Sequence, residues 1–253
     1  MKKLLSTLVL GTAIATVSSA DMVRVEMGVG GWSQDPSGIM SYTNGSATGE
    51  YKSDAVGKTE TYAWLLIKHP VPIVPNLRLE YVDVNDNGYV NGKFEDFETG
   101  PLGSTASLSL KQYDIIPYYN VLDNTFWATI DLGLDVKVID SSYEANGVTI
   151  YGQGTGNYTD SKIIAIPLVY GRARVEIPGT GLGLESDLKY ITYDGSTVYD
   201  IRAKVDYTFD FDVIQPGIEI GYRMEKFDIE SDDKKTKMNM DFSGVYAGLM
   251  LRF

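Results

Sequence analysis

The chain has 253 residues, 43% of them hydrophobic, no cysteine, one histidine and a formal charge of -12. Without cysteine there is no disulfide framework, thiolate nucleophile or zinc–cysteine site. A chain this acidic is a poor partner for nucleic acid, and it lacks the composition of a folded basic face for anionic lipid.

The amino terminus reads as a signal peptide over residues 1–20. Lys2 and Lys3 precede the uncharged, apolar Leu4 to Val17, and Ser18 and Ala20 put small residues where a signal peptidase cuts. That stretch is shorter than the ~20 residues a spanning helix needs. The expected mature chain starts at Asp21 and, having lost two lysines and no acid, carries a charge of about -14. Residues 21–253 suit one all-β domain.

From there on, apolar and polar residues alternate with period two. Val23, Met27 and Val29 alternate with Arg24, Glu26 and Gly28. Strands are also predicted over Thr59 to Lys68 and around Leu77, Leu79 and Tyr81, which alternate with Arg78 and Glu80. Ala106 to Tyr119 follows, interrupted by Pro117. The clearest strand is Phe126 to Ile139: Ala128, Ile130, Leu132, Leu134, Val136 and Val138 on one face, Thr129, Asp131, Gly133, Asp135 and Lys137 on the other. It exceeds the ~9–11 residues that a strand crossing a bilayer at a tilt needs. Lys162 to Ile177 contains Pro167 and changes face near Arg172, which predicts a bulge. Three further alternating runs set Glu185, Asp187 and Lys189, then Asp200, Arg202, Lys204 and Asp206, then Glu219, Arg223 and Glu225, opposite apolar rows. Met240 to Phe253 is the last strand, the tenth.

Four connections are short: His69 to Pro75, Asn120 to Thr125, Pro178 to Gly181 and Asp210 to Gln215. Between them lie long polar segments expected as loops, Ser33 to Lys58, Asn85 to Thr105 and Asp140 to Ser161, and shorter ones at Asp194 to Val198 and Ile229 to Asn239. Short turns on the periplasmic side and long loops outside are the outer-membrane arrangement. An open sheet edge finds no hydrogen-bond partner in hydrocarbon, so the strands must close. The expected fold is all-β: a closed antiparallel up-and-down transmembrane β-barrel of about ten strands. Eight or twelve strands are also open, since Val148 to Tyr151 could add a hairpin. Trp32, Tyr193 and Tyr199 near the loops, and Tyr119, Phe126, Trp127, Tyr207 and Phe209 near the turns, are candidates for interfacial girdles. The terminal Phe253, on the row Val245, Ala247, Leu249 and Leu251, has the form of an assembly signal for outer-membrane barrels.

Several stretches resemble an uncharacterised family of Gram-negative outer-membrane β-barrel proteins. They are His69-Pro70-Val71-Pro72, Tyr118-Tyr119-Asn120-Val121-Leu122-Asp123-Asn124 with Asp131-Leu132-Gly133-Leu134, Ala173-Arg174-Val175-Glu176-Ile177-Pro178, Lys189-Tyr190-Ile191-Thr192-Tyr193-Asp194 and Lys204-Val205-Asp206-Tyr207. The resemblance implies fold and location, the cell outer membrane, and assigns no residue a role.

The charged faces cannot meet lipid. Arg24, Glu26, Arg78, Glu80, Asp131, Asp135, Lys137, Arg172, Arg174, Glu185, Asp187, Lys189, Asp200, Arg202, Lys204, Asp206, Glu219, Arg223 and Glu225 are therefore expected to line the lumen, where opposite charges pair. Carboxylate pairs such as Asp131 with Asp135 read as parts of that network before they read as acid–base catalysts. A hydrolase needs an imidazole base near physiological pH, and the single His69 falls in an expected turn away from the loops. Asp83, Asn85, Asn87 and Gly88 match the opening of a calcium loop, but position twelve is Phe94 and Glu95 comes one residue late; a turn-rich loop uses the same residues. No metal or cofactor is expected. The expected partners are outer-membrane lipid and lipopolysaccharide, and the barrel-assembly machinery through the terminal strand; the mixed-charge loop of Lys234, Lys235 and Lys237 beside Asp232 and Asp233 reads as a solvated surface before it reads as a contact with lipopolysaccharide phosphates. Small barrels have side-chain-filled interiors. The functional expectation is a non-enzymatic barrel with a narrow or occluded charged lumen, a minor ion or solute channel, with a structural or surface-interaction role of the loops as the alternative. A hydrolase ranks third. A lipocalin-like soluble binder is the reading if the fold differs.

Overall fold

Alternation that persists over twenty residues makes long strands. The computed structural model describes residues 23–71, 73–125 and 127–253. The expected signal peptide, and Pro72 and Phe126, lie outside the described residues. The strands are β1 (Arg24–Asn44), β2 (Ala47–Ser53), β3 (Lys58–Lys68), β4 (Asn76–Gly92), β5 (Phe97–Glu98), β6 (Ser104–Thr125), β7 (Ala128–Ile150), β8 (Gly154–Ile177), β9 (Leu182–Tyr193), β10 (Ser196–Thr208), β11 (Gln215–Glu230) and β12 (Thr236–Arg252).

Ten of them close into an antiparallel barrel in chain order, with β12 returning to β1. The seam pairs Val29 with Leu249, and the Phe253 amide donates to the Val25 carbonyl at 2.9 Å. The two extra strands lie at the loop end. β2 continues the row of β3, pairing with the upper parts of β1 and β4; β5 pairs with the tip of β7.

The outward face carries the lipid band. Ile130, Leu132, Leu134 and Val136 on β7, Val169 and Val175 on β8, Ile218, Ile220, Tyr222 and Met224 on β11 and Val245 and Leu249 on β12 are all exposed. From Ile130 to Val138 a tilted strand rises about 22 Å, the height of a barrel's apolar band. Tyr81 and Tyr113, whose rings lie 5.3 Å apart, mark its upper edge with Tyr190 and Tyr222. Tyr119, Trp127, Tyr207 and Phe209 mark the lower.

Several expectations are corrected. The three long polar segments are largely strand: the upper parts of β1, β4, β7 and β8, with β2 and β5. Val148 to Ile150 is the tip of β7, paired with Gly154 to Gly156, and adds no barrel strand. Asn120 to Thr125 is the end of β6, where the β6–β7 register shifts; the register holds across Pro117. β8 pairs with β7 without a break from Val175 to Tyr158, so no bulge lies at Arg172. The lumen changes chemistry there instead, from Arg174 and Arg172 to Tyr170, Leu168 and Ile166, all on one face. Pro167 pairs with Val136, while the β8–β9 ladder ends at Val169 and Tyr190. Asp83, Asn85 and Asn87 alternate along β4 and face outward, so they form a strand and no ion-wrapping loop, and the Asn85 side-chain amide donates to the Asp83 carboxylate at 3.2 Å. Trp32 is fully buried in the lumen, outside any girdle, with Nε1 donating to the Gly244 carbonyl at 3.2 Å.

Candidate functional site

The lumen at bilayer height is crossed by charged side chains. Every expected lumen residue except Arg24 is buried; Arg24 sits at the turn end, its side chain 36% exposed. There it pairs with Glu26 and, at 2.8 Å, with Glu176. One level up, Arg174 grips Asp206 through both terminal nitrogens at 2.6 and 2.9 Å. Arg172 bridges Asp131 (2.6 Å) and Glu185 (2.7 Å). Lys204 meets Glu219 at 2.8 Å, and Tyr62 and Trp64 donate to the same carboxylate at 2.8 and 2.9 Å. Arg202 reaches Asp187 and Glu80, and Arg223 reaches Asp200 at 2.7 Å with its guanidinium 4.9 Å from the Trp32 ring. Highest is Lys137, bonded to Glu225 (2.9 Å) and Gln112 (2.7 Å).

Glu80, Asp114 and Asp200 bring carboxylate oxygens together in a way that could hold a cation. The Lys189 ammonium already stands among them, bonded to Asp114, to Glu80 at 2.5 Å and to Asp200 at 3.2 Å. Both carboxylate oxygens of the buried Asp135 have no hydrogen-bond partner among the described residues. One void within the network, among Trp32, Tyr62, Arg202, Arg223 and Tyr246, is about 10 Å³. In a low-dielectric interior such a network holds only when its members are paired together.

Immediately above this plug the lumen turns apolar. On one inward row after another the change takes a single step: Glu80 to Val82, Gln112 to Leu110, Lys137 to Ile139, Asp200 to Val198 and Glu225 to Phe227. The outward row changes in the opposite sense, to Asp83, Lys111, Asp140, Lys226 and Asp241. Above the bilayer the barrel therefore has the polarity of a water-soluble one. It encloses a cavity of about 450 Å³, lined by Met40, Leu110, Ile139, Ile166, Ile229, Met238 and neighbours. The segment between β4 and β6 crosses its mouth. A row of rings runs from Tyr42 on β1 through Phe94 and Phe97 to Tyr158 on β8, with spacings of 6.0, 4.6 and 4.7 Å. Tyr158 also donates to Asp96 at 2.8 Å. On the β4 wall, Asp86 accepts from Tyr51 at 2.6 Å and Ser53 at 2.9 Å. Burial pushes its carboxyl above the usual range, and those two bonds oppose the push.

The sequence reading missed Asp114, Gln112, Tyr62, Trp64 and Tyr246 as lumen groups. Tyr62-Ala63-Trp64-Leu65-Leu66-Ile67 is apolar on both faces, and Ile115-Ile116-Pro117 hides the alternation around Asp114. One signal was present: Gly28, a strand glycine whose missing Cβ leaves room for the Trp64 ring. His69 lies in the β3–β4 turn as expected. Its Nδ1 accepts from the Val71 amide at 3.2 Å, which leaves Nε2 to donate to the Pro75 carbonyl at 3.0 Å.

No protein-family profile matches the chain, and no curated protein matches it. Among solved structures, the outer membrane protease OmpT from Escherichia coli aligns with a TM-score of 0.53 at 8% identity, covering 93% of this chain and 99% of that one. The translocator domain of autotransporter NalP from Neisseria meningitidis aligns with a TM-score of 0.40 at 9% identity, covering 100% and 96%. The outer membrane protein OprG from Pseudomonas aeruginosa gives 0.32 at 13% identity, covering 92% and 96%. At such identities the likeness is one of fold. A closed barrel with a lipid-facing band and, at bilayer height, charges only on its inward face is an outer-membrane β-barrel protein, and its place is the cell outer membrane.

Proposed function

We propose that this is a non-enzymatic outer-membrane barrel whose lumen is sealed at bilayer height and which works from its extracellular end. The observation that carries the reading is the burial of the charges that cross the lumen: Lys137, Lys189, Asp131 and Asp200 are all at 0% exposure. A water-filled pore would leave such groups hydrated. The occluded form is thus favoured over a minor ion or solute channel. Against catalysis stands His69, committed through both ring nitrogens to a turn at the opposite end from the apolar cavity, the cup above the charged network. Phe253, which completes the seam, is proposed as the assembly signal. Outer-membrane lipid and lipopolysaccharide are proposed to surround the barrel, while Lys235 and Lys237 pair with Asp233 and Asp228 at 3.2 and 3.8 Å in a solvated mixed-charge loop. The test is conductance in planar bilayers at high salt. The purified barrel is expected to add no steady current, and stable single-channel steps would refute the seal.

A further inference from the structure

We infer that the cup above the plug is a binding site for a compact, uncharged, apolar small molecule that enters from the extracellular side over the β9–β10 turn. This rests on the sealed-barrel reading, because a closed floor is what makes the cup a site instead of a passage.

Three observations lead there. The first is chemistry. An aqueous vestibule would be expected to carry polar walls, yet Met40, Ile166, Ile229 and Met238 are half-buried apolar side chains that face neither lipid nor a fully packed core. The charges that line the cavity, Glu95, Asp96, Asp160 and Lys162, belong to the segment between β4 and β6 and to the upper part of β8. The second is size. About 450 Å³ lies within the range of small-molecule sites, and an apolar occupant is stabilised by the surface it removes from water. The third is access. Phe94 and Phe97 cover the top of the cup, but the wall is low on one side. β9 and β10 turn back at Asp194 and Gly195, whereas β7 and β8 stay paired up to Ile150 and Gly154. Above Val169 the outer edge of β8 has no ladder partner among the described residues. Among the described residues, none of β9 or β10 lines the cavity. The opening thus lies between Ile164 and Ile166 of β8 and Ile229 and Met238 of the β11–β12 hairpin.

Methionine methyl NMR in lipid nanodiscs reads this directly, with naphthalene as the probe. Met40 and Met238 line the cup, Met250 is buried in the lumen at the turn end, and Met224 faces lipid. Naphthalene is expected to shift Met40 and Met238 saturably and to leave Met250 unmoved. Ile229→Arg and, separately, Ile166→Asn should each weaken binding roughly tenfold or more, with the Met250 resonance confirming a folded barrel. Shifts confined to Met224 that rise without saturation would mean that the probe only dissolves in the bilayer, and would overturn the site. So would saturable shifts that neither variant weakens. If either variant fails to fold, the wild-type pattern alone still decides. A barrel silent in conductance that does not bind naphthalene loses the site but keeps the seal. A conducting barrel loses the seal whatever the methyl groups report.

Discussion

Lys189 and Asp135 show how unevenly stability is shared among residues of the plug. The Lys189 ammonium holds three carboxylates and is fully buried. Removing it strands those charges in a dry interior, at a cost of about 3–5 kcal/mol for a broken buried pair. Lys189→Met is therefore expected to lower the urea midpoint of the barrel in lipid vesicles strongly. Asp135 is the reverse case, a buried carboxylate with neither oxygen hydrogen-bonded to a described residue. Asp135→Asn removes the charge at nearly constant volume and is expected to leave stability unchanged or raise it by about 1–3 kcal/mol. Equal losses in the two variants would contradict the pairing scheme. At this scale the sequence was legible wherever a charge stood between two lipid-facing apolar residues, as Asp135 does between Leu134 and Val136. It was opaque where both faces were apolar, as at Trp64, or where proline interrupted the row, as beside Ile116.

The elements were legible within the bilayer and misread above it. Over Ile130 to Val138 the outward row is apolar and the inward row charged, which hydrocarbon enforces. Along Asp83-Val84-Asn85-Asp86-Asn87-Gly88-Tyr89-Val90-Asn91 the period is still two, but polar residues point out and Val84 and Val90 point in. Asn, Asp and Gly on the outward row look like a loop, although the pairing of β4 with β6 continues to Val90 and Ser104. β8 shows the same extension with a free edge. Its β7-facing groups are paired up to Gly154, and its other edge is open above Val169. Hydrogen exchange should reveal this: amides of Gly154–Ile166 are expected to exchange in two classes, about half quickly and half slowly, while Ile130–Val138 stays protected throughout. Uniform protection of Gly154–Ile166 would require a second partner strand.

As a whole the molecule is one barrel whose strands carry two zones of opposite polarity. The lower is apolar outside and ion-paired inside; the upper is polar outside and apolar inside. Fold, strand number and compartment could be read from the chain, because the lipid band dictates them. The cup could not, because its wall comes from residues that meet only when the strands continue past the membrane. A nitroxide scan along the outward row of β11 tests this arrangement most directly, and the absence of native cysteine leaves no background. Labels at Ile218, Ile220, Tyr222 and Met224 are expected to collide with lipid-soluble oxygen, and labels at Lys226, Asp228 and Glu230 with a water-soluble nickel complex. Oxygen-dominated collisions extending through Glu230, or nickel reaching Ile220, would contradict a bilayer that ends at Met224.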